Sequence, residues 1–279
     1  MKKLVLFILS LSILALDGMA ENSFVYVEYQ NFHFTNSVQK DKGKRYTTHI
    51  AYKYKKSFYE AAYSKNHTKT YQPPMKDDLY VDKYYCKYSY AFDQKQSFSL
   101  SYATLNDNLT KETDGGNIYG LSYRYKAVKV TQYISDYKNF NVYQSNLQYT
   151  LKKDYNNVEY FFTLLGMYID LDNKDSNKYT TKADTNYLTS SLMMKVAYNG
   201  YYSALGAYIG KRIFAVMNDG FSVQNRAMEF DRTYNVVIGK RFSQLDIMLK
   251  YLYMRATEVP VDNEDVVVKS IIAGIKYRF

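Results

Sequence analysis

The chain has 279 residues, with 37 basic against 27 acidic side chains, a net charge of +10, 34 tyrosines, no tryptophan, three prolines and a single cysteine. Cys86 alone excludes an internal disulfide framework, so hydrogen-bond ladders and burial must hold the fold. Tyrosine suits strands and the boundary between lipid and water, while scarce proline leaves ladders uninterrupted.

The first residues read as an export signal. Lys2 and Lys3 precede a short apolar run from Leu4 to Leu16, and Gly18-Met19-Ala20 supplies small residues for cleavage after Ala20. That run is well short of the ~20 residues a spanning helix needs. Removing residues 1–20 leaves a net charge of about +9. Export makes nucleic acid the least favoured partner for this basic excess, leaving anionic lipid or anionic solutes. No later stretch is long and apolar enough for a helical span, so any membrane residence must be as strands.

From Ser23 onward the dominant period is two, the spacing that sends successive side chains to opposite faces of a strand. The pattern predicts strands over 24–34, 45–54, 58–65, 80–92, 97–105, 117–126, 128–135, 142–151, 157–169, 187–198, 201–213, 228–239, 244–255 and 267–279, about fourteen in all, with twelve or sixteen as alternatives. Three segments fit poorly. The first slips phase near Asn31, that from Val128 places Gln132 among apolar positions, and that from Val158 is apolar on both faces.

The connectors alternate in length. Short ones at 55–57, 93–95, 126–127, 152–156, 199–200 and 240–243 read as hairpin turns, with Asn199-Gly200 the strongest type I′ signal. Longer, more polar ones fall at 37–44, 66–79, 107–116, 136–141, 170–186, 215–227 and 257–265. Short turns at one end and long loops at the other predict a transmembrane, antiparallel, up-and-down β-barrel occupying residues 21–279 as one domain.

The chain ends Ile271-Ile272-Ala273-Gly274-Ile275-Lys276-Tyr277-Arg278-Phe279. This segment resembles the C-terminal assembly signal of Gram-negative outer-membrane barrels, and the whole mature chain is similar in layout to a porin-type barrel. The resemblance implies recognition by the barrel-assembly machinery, with Gly274, Tyr277 and Phe279 in the signal, and an outer membrane of lipid and lipopolysaccharide as surroundings. Nothing in the sequence indicates a homo-oligomer.

Size decides which face meets lipid. Fourteen strands ~4.8 Å apart and tilted ~40° close into a cylinder of backbone diameter ~28 Å, too wide for wall side chains to fill. A wet lumen and an apolar outside are therefore expected. The charged phase agrees, since each basic residue turned to lipid near the midplane would cost ~2–4 kcal/mol. Arg45, Lys53, Lys83, Lys87, Arg124, Lys195, Arg212 and Lys250 are the candidates for lining a pore, or else for pairing with Glu28, Glu60, Glu229 or Asp246.

Catalytic chemistry finds little support. The three histidines, His33, His49 and His67, have no recognisable nucleophile motif nearby, and 170–175 lacks the glycine of a calcium loop. No cofactor or metal is expected. The function that follows is passive diffusion of small hydrophilic solutes with a bias toward anions. A closed barrel acting as an adhesin or envelope anchor through its loops is the alternative, and a lipid-modifying enzyme a minor one. No loop has the length of a dedicated plug, the longest being ~17 residues.

Overall fold

The computed structural model describes residues 23–109, 113–176 and 180–279, so the expected signal segment lies outside the described residues. In chain order the strands are β1 (Phe24–Thr35), β2 (Lys40–Tyr54), β3 (Ser57–Thr70), β4 (Leu79–Ala91), β5 (Gln96–Asp107), β6 (Asn117–Tyr125), β7 (Val128–Tyr137), β8 (Phe140–Tyr155), β9 (Val158–Asp172), β10 (Asn186–Tyr198), β11 (Tyr201–Arg212), β12 (Val216–Met217), β13 (Ser222–Val223), β14 (Met228–Arg241), β15 (Leu245–Glu258) and β16 (Asn263–Arg278). Fourteen of them close an antiparallel barrel with each strand beside its sequence neighbour. The short β12 and β13 pair only with each other. β1 meets β16 in continuous register from Phe24 opposite Arg278 to Thr35 opposite Val267, and the Phe279 amide donates to the Ser23 carbonyl at 3.1 Å. All fourteen strands expected from the period-two pattern are present.

Local chemistry sets the short turns. Asn199 and Gly200 both have positive φ, 48° and 79°, the backbone a two-residue type I′ turn requires. Asn156 and Asn157 do the same at 48° and 63°, where asparagine tolerates the left-handed region better than most residues. Lys55 and Lys126 adopt positive φ in two more two-residue turns, those of β2–β3 and β6–β7.

The outer surface is an apolar belt between two tiers of tyrosine. Leu100, Leu121, Val130, Leu147, Leu164, Leu192, Leu205, Val236, Leu249 and Ile275 all point outward and are exposed. Toward the short-turn end stand Tyr54, Tyr125, Tyr155, Tyr198, Tyr201 and Tyr277. Toward the long-loop end, outward tyrosines pair across strands, with ring centroids 5.1 Å apart for Tyr29–Tyr46 and Tyr63–Tyr84 and 5.4 Å for Tyr102–Tyr119. Their hydroxyls reach polar groups at the strand ends: Tyr63 donates to Asp82, Tyr102 to Asn117 and Tyr168 to Asn186, each at 2.6 Å. Amphipathic rings bracketing an aliphatic band are what a lipid bilayer selects on a barrel, and this barrel resides in the outer membrane.

The lumen departs from the expectation that side chains cannot fill it. Its long-loop half is packed. Leu79, Val81, Leu105, Ile118, Tyr133, Phe140, Met167, Ile169 and Leu171 form one buried cluster, and Phe32, Phe34, Met228, Phe230, Val266 and Val268 a second. This explains why the segment from Val158 is apolar on both faces: Leu164 faces lipid while Met167, Ile169 and Leu171 face a core. Wall side chains alone do not supply that core. The chain between β11 and β14 folds inward and completes it.

At the long-loop end a fully buried ion pair closes the seam region. Lys40 Nζ lies 3.1 Å from Glu258 Oε1, and Glu258 also accepts from the Ser37 hydroxyl, the Val38 amide and the Asn263 amide group. Lys40→Met should therefore destabilise the barrel by about 3–5 kcal/mol, because it strands a buried carboxylate, whereas the double change Lys40→Met with Glu258→Gln should cost distinctly less. Urea midpoints of protein folded in lipid vesicles would check the difference. Equal losses in the single and double variants would show that the pair is not the source.

Candidate functional site: an inward loop above a cationic vestibule

Residues 213–227 leave β11 and cross the lumen before rejoining the wall at β14. Ile213, Phe214, Ala215 and Val216 are fully buried. Phe214 packs its ring, tilted, against Phe140 and Tyr137, with centroids 5.0 and 5.8 Å away. The Gln144 side chain on β8 reads the backbone of Val216 in both directions, donating to its carbonyl at 2.7 Å and accepting from its amide at 2.8 Å. The β12–β13 hairpin then turns through Asn218, Asp219 and Gly220, all at positive φ.

That tip reaches the opposite wall. Tyr85 on β4 donates to the Asp219 carbonyl at 3.0 Å, and Lys83 donates to the Phe221 carbonyl. The Phe221 ring stacks on His49 of β2 at 4.9 Å. Gly220, at φ 91°, sits where a Cβ would lie 3.1 Å from both Ser101 Oγ and Tyr85 Cε2, so any larger residue would be strained in its backbone and crowded by both neighbours. In the ring of fourteen strands β4 and β5 lie seven places from β11 and β14, so the loop spans a diameter. The expectation that no loop could serve as a barrier is therefore overturned. A plug need not be long when the lumen is narrow enough for fifteen residues to cross as a hairpin and pack on an apolar wall.

Asp219 holds the tip electrostatically. Its Oδ1 meets Lys129 of β7, and its Oδ2 lies 3.4 Å from Lys87, whose Nζ is also 2.9 Å from Glu60. Burial alone would push the Asp219 carboxyl up, but the combined attraction of Lys129 and Lys87 outweighs it and holds the group below the usual carboxylate range. A depressed carboxyl pKa stabilises the docked state at all pH above the free value of ~3.9, and that contribution is lost as pH falls through the docked value. Amide exchange at Val216 and Gln224, corrected for intrinsic rates, should thus stay equally protected from pH 8 down to about 4 and loosen only below it. Protection lost already between pH 7 and 5 would rule out this carboxylate as the controlling group.

Beneath the tip, toward the short-turn end, lies a cavity of about 550 Å³. Eight basic side chains line it, Lys53, Lys55, Lys56, Lys87, Arg124, Lys129, Lys276 and Arg278, against one acidic side chain among the described residues, Asp219. Ser57, Ser89, Ser97, Ser99 and Ser122 add hydroxyls. Among the described residues Lys53, Arg124 and Lys276 have no carboxylate within 4 Å, whereas Arg278 is held by Asp246 at 2.7 Å.

The eight residues singled out from the sequence all stand on the inward phase but in different surroundings. Lys53, Lys87 and Arg124 line the vestibule. Arg45 pairs with Glu28 at 3.2 Å, and Lys195 lies between the rings of Phe161 and Tyr202. Lys250 is half-buried between Val237 and Ile272 of the adjoining strands. Lys83 is buried under the loop. Arg212 is 1% exposed, donating to Thr233 and lying over the Tyr208 and Phe230 rings, so it belongs to the packed half and touches no open space. Lys129, Lys276 and Arg278, which the period also puts on the inward phase but which are not among those eight, line the vestibule as well, and Asp219, their counter-ion, is the residue that sequence reasoning missed. The alternating apolar residues Phe214, Val216, Phe221 and Val223, inside a connector expected to be polar, were the signal that could have found the loop. At the C-terminus Tyr277 faces outward, and Gly274 faces inward beneath the Tyr26 ring.

No protein-family model and no curated protein sequence matches the chain. Among solved structures it is similar to the outer-membrane protein Omp33 of Acinetobacter baumannii, with 10% identity, 93% of this chain and 100% of that one covered, and a TM-score of 0.51. It is also similar to a bacterial polysaccharide outer-membrane secretin, at 7% identity, 91% and 98% coverage and a TM-score of 0.57. Such likenesses establish the outer-membrane barrel fold.

Proposed function

We propose that this outer-membrane barrel is a narrow, anion-biased channel for small hydrophilic solutes, with the inward loop as its constriction and the vestibule as its periplasmic mouth. The observation that carries the reading is the cavity with eight cations to one acid. A concentration of one charge sign inside low-dielectric walls raises the local density of counter-ions and excludes co-ions. The loop divides the lumen: its Phe214 side meets the buried cluster of β7 and β8, while Glu28, Arg45 and Lys250 stand on β1, β2 and β15, the more polar wall that remains for a water path. Reconstitution in a planar bilayer tests it. Discrete conductance steps with a chloride-preferring reversal potential in a KCl gradient are expected, and silence from well-folded protein would overturn the channel.

The apolar packing of the long-loop half favours one rival, a closed barrel presenting its loops at the cell surface. Under that reading the wild-type barrel is silent. The C-terminal segment with Gly274, Tyr277 and Phe279 serves, in either case, as the signal for the barrel-assembly machinery.

A further inference from the structure

Resting on the channel reading, we propose that the vestibule binds small carboxylate anions and that Asp219 is their built-in competitor, a carboxylate of the chain itself seated where a solute carboxylate goes. Both Asp219 oxygens are engaged by lysines from separate strands, Lys129 and Lys87. That engagement does not position the tip alone. The backbone of the loop is held independently, through Tyr85 on the Asp219 carbonyl, Lys83 on the Phe221 carbonyl and Gln144 on both polar atoms of Val216. The side chain is also accessible, with 41% of its surface exposed and facing the vestibule.

Around it the charge is unbalanced. Lys53, Arg124 and Lys276 border the same cavity and, among the described residues, have no carboxylate within 4 Å. Like charges gathered in a partly enclosed space repel one another, and a bound anion relieves that repulsion. One anion in the cavity lining, Asp219, is supplied by the chain, and a solute carboxylate entering from the short-turn end meets first the cations that have no carboxylate partner among the described residues, Lys53, Arg124 and Lys276 with Lys55 and Lys56 of the turn. It reaches Lys129, and shares Lys87 with Glu60, only by exchanging with Asp219. Because exchange replaces one carboxylate by another, the solute gains little from the last step and leaves readily. A conducting path needs that balance, attractive enough to enter and weak enough to release.

The test is calorimetric titration of the full barrel, folded in detergent, with succinate, and with neutral succinamide and inorganic phosphate as comparison probes. Removing the competitor with Asp219→Asn should tighten succinate binding about tenfold, with Asp219→Ser giving the same gain as a second variant. Asp262→Asn removes the same formal charge in a loop at the opposite end and should change affinity by less than about twofold. Succinamide should not bind any of them. Unchanged or weaker succinate binding in both Asp219 variants, or an equal gain in Asp262→Asn, would overturn the competitor role. A gain for phosphate as large as that for succinate would overturn the carboxylate assignment. Bilayer silence of the same preparations would overturn the channel reading while leaving the calorimetric comparison intact.

Discussion

Replacing residues 214–226 by a two-residue turn should raise the single-channel KCl conductance about fivefold or more, because a barrel of ~28 Å backbone diameter loses the hairpin that crosses it. The ladder on which this depends is untouched. β11 pairs with β14 from Tyr201 opposite Lys240 to Ile209 opposite Arg232, without any contribution from the loop. What is lost is the packing of Phe214 on Phe140 and Tyr137 and the Gln144 bonds to Val216. The deletion will therefore leave apolar wall exposed to water. Phe214→Ala alone should cost about 3–5 kcal/mol by creating a cavity in that packing. Single-channel recording beside a circular-dichroism check of strand content separates the outcomes. A well-folded deletion variant whose conductance equals that of the wild type would show that the loop is not the constriction. A silent wild type with a conducting deletion variant would favour the closed barrel.

Charge reversal in the vestibule should have the second large effect. Lys53→Glu, Arg124→Glu and Lys276→Glu together change the local balance by six charges and remove no ion pair, since none of the three has a carboxylate within 4 Å among the described residues. The anion-to-cation permeability ratio should fall from above about 3 to below 1, with the reversal potential in a KCl gradient changing sign. The same triple reversal should leave the docked loop in place, because Lys87 and Lys129 still hold Asp219. An unchanged sign would mean that the selective region lies elsewhere, with Arg45 and Lys250 on the remaining wall the next residues to test. High salt should diminish the difference, as the Debye length contracts to ~3 Å at 1 M.

How much of this is legible in the sequence follows from which forces act locally. Strand positions were legible because a lipid face and an inner face impose a strict period of two, and Phe279, Tyr277 and Ile275 fix its phase. Ile275 and Tyr277 are exposed, while Val268, Ser270 and Ile272 are buried. The Asn199-Gly200 turn was legible because positive φ selects those residue types. Arg212 was misjudged because a charge on the inward phase was equated with water, whereas here the guanidinium sits on aromatic faces inside a packed half. The inward loop was missed for a deeper reason. Its partners, from His49 to Gln144, are strands apart and far away in sequence, and period alone does not say which connector turns inward. Size reasoning then made the error look safe, because a cylinder too wide for its walls to fill can be filled from a fifteenth segment.

The order of those partners along the chain bears on how the barrel comes to be built. Thr68, Lys83, Tyr85, Lys87, Ser101, Lys129 and Gln144, on which the inward part of the loop rests, all precede it, and Val259, whose amide donates to the Ala227 carbonyl at the loop's end, follows it. Docking of the tip therefore needs nothing from β15 or β16, and the loop's contacts link residues as far apart as Thr68 and Arg226, 158 positions in sequence. A growing sheet pinned at its middle in this way is forced to curl, since β11 cannot stand over β4 while the sheet stays flat. The curl carries the remaining strands round toward β1, shortening the search by which β16 finds its edge. The hairpin that narrows the finished lumen is thus also a template for the curvature that lets the seam close.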